Sequence, residues 1–416
     1  MSKAILVGAL DTKGEEFRYV RDCLHEAGVR TLTIDTGVLG GPLFPPDVKS
    51  EEVAAAGGAD LAALRKAGDR GAAVAAMTAG IGHVVKRLLQ AGEVGGVFGM
   101  GGTAGTTVGA AAMQAVPIGV PKLLVSTVAS GNTRPYVGVK DVAMMYSVAD
   151  IAGLNRLSAR ILRNGAFALA GMMEGGKRAG KTGDGVAGEE GRRMVGMTMF
   201  GVTTPCVMRI KERLEAEGFE LLVFHATGTG GMAMEELVRS GFLEGVVDVT
   251  TTELADELVG GIFSAGPARL EAAGSKGLPQ VVSVGAMDMV NFGPPETVPE
   301  KFEGRLFYRH NPTTTLMRTT AEENSRLGRL LAEKLNAGEG RMAVVFPAGG
   351  VSLLDMAGKP FNGPAERAAL LEGIRSALRP DIPLIVADKD LNDPQTADLI
   401  AEQFIGLFRG QADVPL

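Results

Sequence analysis

Short apolar runs alternating with amphipathic stretches along 416 residues predict an α/β fold. The expected architecture is three-layered, with mostly parallel sheets covered by helices on both faces, in each of two domains. Three observations carry this expectation. The apolar runs are short and lack polar alternation, so they read as buried strands. The stretches between them place apolar residues at helical spacing, as Phe17, Val20, Leu24 and Ala27 do. The composition changes between Glu174 and Arg193, which is rich in Gly, Lys, Arg, Asp and Glu and nearly lacks apolar residues. The domains are therefore predicted at 1–178 and 193–416, with a linker at 179–192, and the chain length suits two cores.

The elements follow in order. Ala4 to Ala9 is a buried strand and Gly14 to Ala27 a helix. Thr31 to Ile34 is a second strand, ending at Asp35, and Val38 to Pro46 is a loop dense in proline. Ala72 to Leu89 is a helix, Val94 to Phe98 a strand, Thr106 to Ala115 a helix and Lys122 to Ser126 a strand. Asn155 to Met173 is a long apolar helix. Past the break, Val195 to Phe200, Glu220 to Phe224 and Gly245 to Val249 are strands, with helices at Pro205 to Glu217 and Gly231 to Ser240. Gln280 to Val284, Met342 to Phe346 and Pro383 to Ala387 are the later strands, and Thr320 to Leu335 and Pro364 to Leu378 the later helices.

Composition excludes several function classes. A net charge of −6 argues against a nucleic-acid partner or an anionic membrane surface, though not against a local anion site. Cys23 and Cys206 lie far apart and form no metal or redox motif, which suits a reducing compartment. Met1-Ser2-Lys3 leads straight into the first strand, and no apolar run approaches the roughly 20 residues needed to span a bilayer, so a cytoplasmic location is expected.

Ligands of such sheets sit outside the carboxyl ends of strands, and polar clusters gather there. The strongest is Gly101-Gly102-Thr103-Ala104-Gly105-Thr106-Thr107, a glycine- and threonine-rich turn from strand into helix. A helix start offers unpaired N–H groups and partial positive charge, which suit phosphate or carboxylate. The turn is neither a Walker P-loop nor a dinucleotide G-x-G-x-x-G. Asp11, Thr12 and Lys13 follow the first strand. Asp11 or Thr12 suits a helix cap, but Lys13 is a cation at a helix start, a placement that a bound phosphate would favour. Ser126, Thr127, Ser130, Gly131 and Asn132 follow the fourth strand. Convergence of these clusters on one crevice predicts an anion site.

The second domain carries acid/base candidates. His225 lies in a second glycine-rich turn, Phe224 to Gly231, and His310 in Arg309-His310-Asn311-Pro312. Asp248, Glu253 and Asp288 are orienting or metal-binding candidates, and Arg318 a carboxylate clamp. These residues include metal-ligand types but no paired-ligand spacing. Mg²⁺ accompanying a nucleotide is the favoured metal, with Asp11 as its candidate ligand.

The chain resembles the uncharacterised bacterial family related to the ATP-binding N-terminal region of the tomato mosaic virus resistance protein. The likeness rests on Leu10 to Glu16, Gly101 to Thr106, Pro117 to Lys122, Val125 to Asn132 and Tyr146 to Asn155. It continues through Thr198 to Pro205, Val223 to Gly228, Asp248 to Leu254 and His310 to Pro312. The resemblance implies two Rossmann-like domains, ATP binding by the first, and a homodimer; it implies no reaction. Two functions are thus expected in order. The first is an ATP-binding protein, its phosphates on the Gly101 to Thr107 turn, charge-neutralised by Lys13. The second is a metabolic enzyme acting on a small carboxylate or phosphorylated metabolite in the second domain or the interdomain cleft.

Overall fold

The computed structural model describes residues 2–182 and 192–410, with the backbone alone at 177 and 179–182. The chain divides into two compact units, Met1–Gly188 and Glu189–Leu416.

The first unit runs β1 (Lys3–Gly8), α1 (Leu10–Glu26), β2 (Thr31–Asp35), α2 (Ser50–Ala56), α3 (Leu61–Ala67), α4 (Arg70–Gln90), β3 (Val94–Gly101), α5 (Thr103–Gln114), β4 (Lys122–Ser126), α6 (Arg134–Val137), β5 (Ala143–Tyr146) and α7 (Arg156–Thr182). Its five strands form one sheet in the order β2-β1-β3-β4-β5, every pair parallel. Alternate residues feed two cores, because successive strand side chains face opposite ways. Ile5, Val7, Val97 and Leu124 pack with Met77, Ile81 and Val84 of α4 and Val108 and Met113 of α5. Leu6, Phe98, Leu123 and Val125 pack with Phe17, Val20 and Leu24 of α1 and Leu162, Leu169 and Met173 of α7. Among the described residues α4 is the one helix long and apolar enough to cross a membrane, yet its apolar stripe is buried against the sheet.

The second unit runs β6 (Arg193–Met199), α8 (Thr204–Ala216), β7 (Phe219–His225), α9 (Thr229–Arg239), β8 (Gly245–Thr250), α10 (Thr252–Val259), α11 (Ala272–Ser275), β9 (Gln280–Gly285), β10 (Met289–Phe292), β11 (Phe307–Asn311), β12 (Thr314–Arg318), α12 (Ala321–Asn336), β13 (Met342–Pro347), α13 (Pro364–Ala377), β14 (Leu384–Ala387) and α14 (Pro394–Arg409). Six strands form a parallel sheet in the order β14-β13-β9-β8-β6-β7. One face packs on α8 and α14, through Ile210, Leu214, Ile400 and Phe404. The other packs on α10, α12 and α13, through Leu254, Leu331 and Ile374. β10, β12 and β11 form a separate antiparallel sheet.

Both units are thus the α/β, Rossmann-like three-layer type expected. Two local readings change. The helix after β3 begins at Thr103, not Thr106, so most of the glycine- and threonine-rich stretch is helix. The polar stretch that begins at Glu174 continues α7 to Thr182; its charges suit an exposed helix, where Arg178 pairs with Glu174 at 3.1 Å. Of the predicted linker at 179–192, residues 183–191 lie outside the described residues. The antiparallel sheet carried no expectation at all, since its strands are short and sequence-local.

Candidate functional site

In the first unit the chain leaves β1 for β2 on one side and reaches β3 on the other. The loops after β1 and β3 therefore part, leaving a crevice at their carboxyl ends. A cleft of about 560 Å³ lies there. Asp11, Thr12 and Lys13 line it from α1, and Met100, Gly102, Thr103, Gly105 and Val108 from β3 and α5. Thr36, Val38 and Leu39 follow β2; Leu64, Arg65, Asp69, Arg70, Ala73, Val74 and Met77 come from α3 and α4, and Asp150 from the loop after β5. Leu64, Val74, Met77 and Val108 belong to one apolar cluster and give the cleft an apolar wall; the helix starts and the loops make up its polar part.

Two helices begin at the polar part with cap residues that offer no side-chain acceptor, although Asp35 takes the first N–H of α1, that of Leu10, at 3.0 Å. The cap residue is Ala9 for α1 and Gly102 for α5. In α5 the first intrahelical N–H is that of Thr106, which donates to Gly102 O at 2.8 Å. The earlier N–H groups and the positive helix end are left for a ligand. By contrast α4, at the other wall, is capped by Asp69, which accepts from Ala72 N–H at 3.0 Å.

The acidic groups here are tied to the loop after β2. Asp11 Oδ2 accepts from Leu39 N–H at 2.7 Å and Gly40 N–H at 3.0 Å, while Oδ1 is buried with no hydrogen bond. Asp35, at the end of β2, accepts through Oδ1 from Leu10 N–H at 3.0 Å and Gly37 N–H at 2.9 Å; its Oδ2 is also buried without a hydrogen bond. Burial pushes the Asp35 carboxyl up; the Leu10 and Gly37 N–H groups oppose this, the Asp11 charge adds to it, and the Ser50 hydroxyl pulls weakly down.

Lys13 answers its own puzzle locally. It leaves helical dihedrals (φ −129°, ψ 24°), and its ammonium donates to the Ile151 carbonyl. Buried Glu16 accepts from Gly153 N–H at 2.7 Å. Together they fasten the loop after β5 to α1. In that loop Val148 has φ +64°, a strained value for a β-branched residue.

Of the residues predicted from sequence for this site, Asp11, Thr12, Lys13, Gly102, Thr103 and Gly105 line the cleft. The others have different tasks. Thr106 and Ser126 are buried with hydroxyls 2.6 Å apart, and Ser126 Oγ also accepts from Val128 N–H. Thr107 donates back to Thr103 O, and Thr127 N–H to Gly101 O. Asn132 accepts from Arg134 N–H, in an exposed turn with Ser130 and Gly131. Gly101 lets α5 approach the sheet: a Cβ there would stand 3.0 Å from Gly105 Cα.

The candidates of the second unit are dispersed. Exposed His225 stacks on Phe200, ring centroids 5.4 Å apart, whereas His310 lies exposed on β11 of the antiparallel sheet. No hydrogen bond or ring contact joins them. Asp248 and Glu253 are fully buried around Arg269. Its guanidinium donates to Asp248 at 2.5 and 2.7 Å and to Glu253 at 2.6 Å. Glu253 also accepts from Gly228 and Gly231 N–H, so a carboxylate of the chain itself fills the glycine-rich turn before α9. Arg318 donates to the Phe361 carbonyl, Thr319 and Asp355, which leaves it no free fork for a substrate carboxylate. Asp288 accepts from Ser352 Oγ at 2.8 Å; burial, with the Asp355 charge added and Arg318 opposing, pushes it up to about 7. These buried acids and bases read as internal ties. Among the described residues no group of three or more His, Cys, Asp or Glu is placed to hold a metal ion.

Sequence reasoning missed Asp35, Arg65, Arg70, Arg269 and Asp355. Only Asp35 carried a signal, as the end residue of the second strand; Arg65 sits in the last turn of a short helix, Arg70 at a helix start, and Arg269 and Asp355 in loops, with no distinguishing pattern.

Known proteins bear on the whole chain. The family models for the N-terminal and C-terminal domains of "Uncharacterised protein family (UPF0261)" match residues 2–178 and 192–408. A UPF0261 protein of Clostridium tetani is 47% identical over 407 residues, covering 98% of this chain and 99% of the relative. One from Rhizobium meliloti is 47% identical over 406 residues, covering 96% and 97%. The ToMV resistance protein Tm-1(GCR237) of Solanum lycopersicum is 43% identical over 338 residues, 81% of this chain but 44% of that protein.

Proposed function

We propose, from the premise that this chain belongs to the uncharacterised protein family UPF0261, that its first unit binds ATP in the cleft between α1 and α5. The observation that supports this is the uncapped start of α5 beside a cleft of about 560 Å³ that also has an apolar wall of Leu64, Val74, Met77 and Val108. That volume is within the usual range for small-molecule sites. A nucleotide has the same two-ended character. Its phosphates suit the N–H groups of Thr103 to Gly105, with Arg70 as a cation on the cleft wall. Its base suits Leu64, Val74, Met77 and Val108. The nucleotide's identity as ATP comes from the resemblance carried by Leu10 to Glu16 and Gly101 to Thr106.

Gly102→Asp tests the reading. Gly102 has φ −77°, and a Cβ there would meet only Thr127 Oγ1 at 3.8 Å, so the change fits. Aspartate is a good N-cap, so its carboxylate would take the N–H groups that the phosphate needs. ATP affinity, measured by calorimetry, is expected to fall at least about 100-fold, with the melting temperature unchanged or raised. Undiminished ATP binding by this variant would refute the site.

A further inference from the structure

The polar part of the cleft holds an electrostatic contradiction. Helix starts there favour a phosphate, yet Asp11 and Asp35 place two carboxylates beside them. Neither is paired with a cation: Lys13 donates to the Ile151 carbonyl, and Arg65 to the Val38 and Gly40 carbonyls. The two acids are neighbours. Asp35 accepts from Leu10, which adjoins Asp11, and from Gly37, which lies flat on the Asp11 carboxylate. A Cβ on Gly37 would stand 2.6 Å from Asp11 Cγ. Each acid uses one oxygen for two backbone N–H groups and keeps the other, Asp11 Oδ1 and Asp35 Oδ2, buried without a hydrogen bond. Asp35 is 1% exposed, and the Ser50 hydroxyl beside it makes no hydrogen bond of good geometry to that oxygen. A buried, unsatisfied carboxylate oxygen is costly, and a positive partner would satisfy both of these neighbouring acids.

We infer that Asp11 and Asp35 form a site for one divalent cation of the Mg²⁺ class, held through Asp11 Oδ1 and Asp35 Oδ2. The inference rests on the nucleotide reading for its role: the cation joins the polyphosphate to the carboxylates that would otherwise repel it. Mg²⁺ suits two protein carboxylates, since it takes its remaining ligands from water and phosphate oxygens. The glycine-rich loop that covers the pair, Gly37-Val38-Leu39-Gly40-Gly41, is the segment that must shift to admit it.

Mn²⁺ is the probe, titrated into the full chain by electron paramagnetic resonance with and without ATP. One Mn²⁺ per chain is expected, bound at least tenfold more tightly when ATP is present. Asp35→Asn keeps the acceptor for Leu10 and Gly37, so it should retain its melting temperature within a few degrees. It should nonetheless weaken Mn²⁺ binding at least tenfold, while ATP affinity in EDTA is kept or raised, since one of the charges that repel the phosphates is gone. Asp11→Asn should act in the same direction, which guards against a folding defect peculiar to one variant. Mn²⁺ binding without ATP binding would uphold the cation site and sink the nucleotide reading. ATP binding indifferent to Mn²⁺ and to both variants, or Mn²⁺ binding unchanged in Asp35→Asn, would overturn the cation site and leave the nucleotide reading standing.

Discussion

In the first unit β1 and β3 flank the crossover and end in Gly8 and Gly101; in the second, β6 and β8 flank it and end in Met199 and Thr250. The strand orders β2-β1-β3-β4-β5 and β7-β6-β8-β9-β13-β14 follow one rule, with an extra edge strand in the second. What fills the crossover differs. In the first unit the start of α5 is uncapped and a cleft stands open before it. In the second, threonine hydroxyls knit the same place together: Thr198 donates to Asp248 at 2.7 Å, and Thr203 and Thr250 lie 2.8 Å apart. Its glycine-rich turn is closed by Glu253. The glycine turn at a helix start in the second unit therefore already holds an anion, a side chain of the protein, whereas the one in the first unit opens on a cleft.

The comparison breaks most forcefully at Arg269. Arg269→Met leaves Asp248 and Glu253 buried and unpaired, so urea unfolding should show a loss of about 3–5 kcal/mol. A loss under about 1 kcal/mol would mean that the second crossover is not held shut by this cluster. The effect of pH is next in size. Burial raises Asp256, and burial with Asp355 raises Asp288, each to about 7, against an ordinary value of 3.8. The folded state then keeps protons that the unfolded chain has released. Stability is greatest below pH 4 on this account and is lost as pH rises towards 7. The decline should be on the order of 2 kcal/mol per group between pH 5 and pH 7. Denaturation at pH 5, 6, 7 and 8 measures it, and Asp288→Asn should flatten the slope by about half. An equal slope in that variant would remove Asp288 from the account. The smallest effect is at His225, whose exposed ring only stacks on Phe200. His225→Ala should cost under about 1 kcal/mol; a larger loss would show that the ring braces the end of β7.

Much of the fold was legible. Buried parallel strands are short apolar runs with distinct boundaries, so β1, β2, β3, β4, β6, β7, β8, β9 and β13 were each readable. The antiparallel sheet of β10, β11 and β12 was not, because its strands are short and β11 is largely exposed. The candidate cleft was half legible. Asp11 to Lys13 and Gly102 to Gly105 stand at strand ends, where local sequence marks them. Arg65, Arg70 and Met77 reach the cleft from helices whose place is set by the packing of α4 on the sheet.

The sequence by itself determined the α/β class, the chain-wide family and the two glycine turns that begin helices, because periodicity, turn chemistry and helix-end charge are local properties. Only the tertiary structure decided which of those turns is open. Glu253 closes one from 22 residues away, through Gly231, and Arg269 compensates it from 16 residues further on. Asp35 faces Leu10 across 25 residues, and Lys13 reaches Ile151 across 138. Such pairings depend on strand order and on the exclusion of water, neither of which is written in any short stretch of the chain.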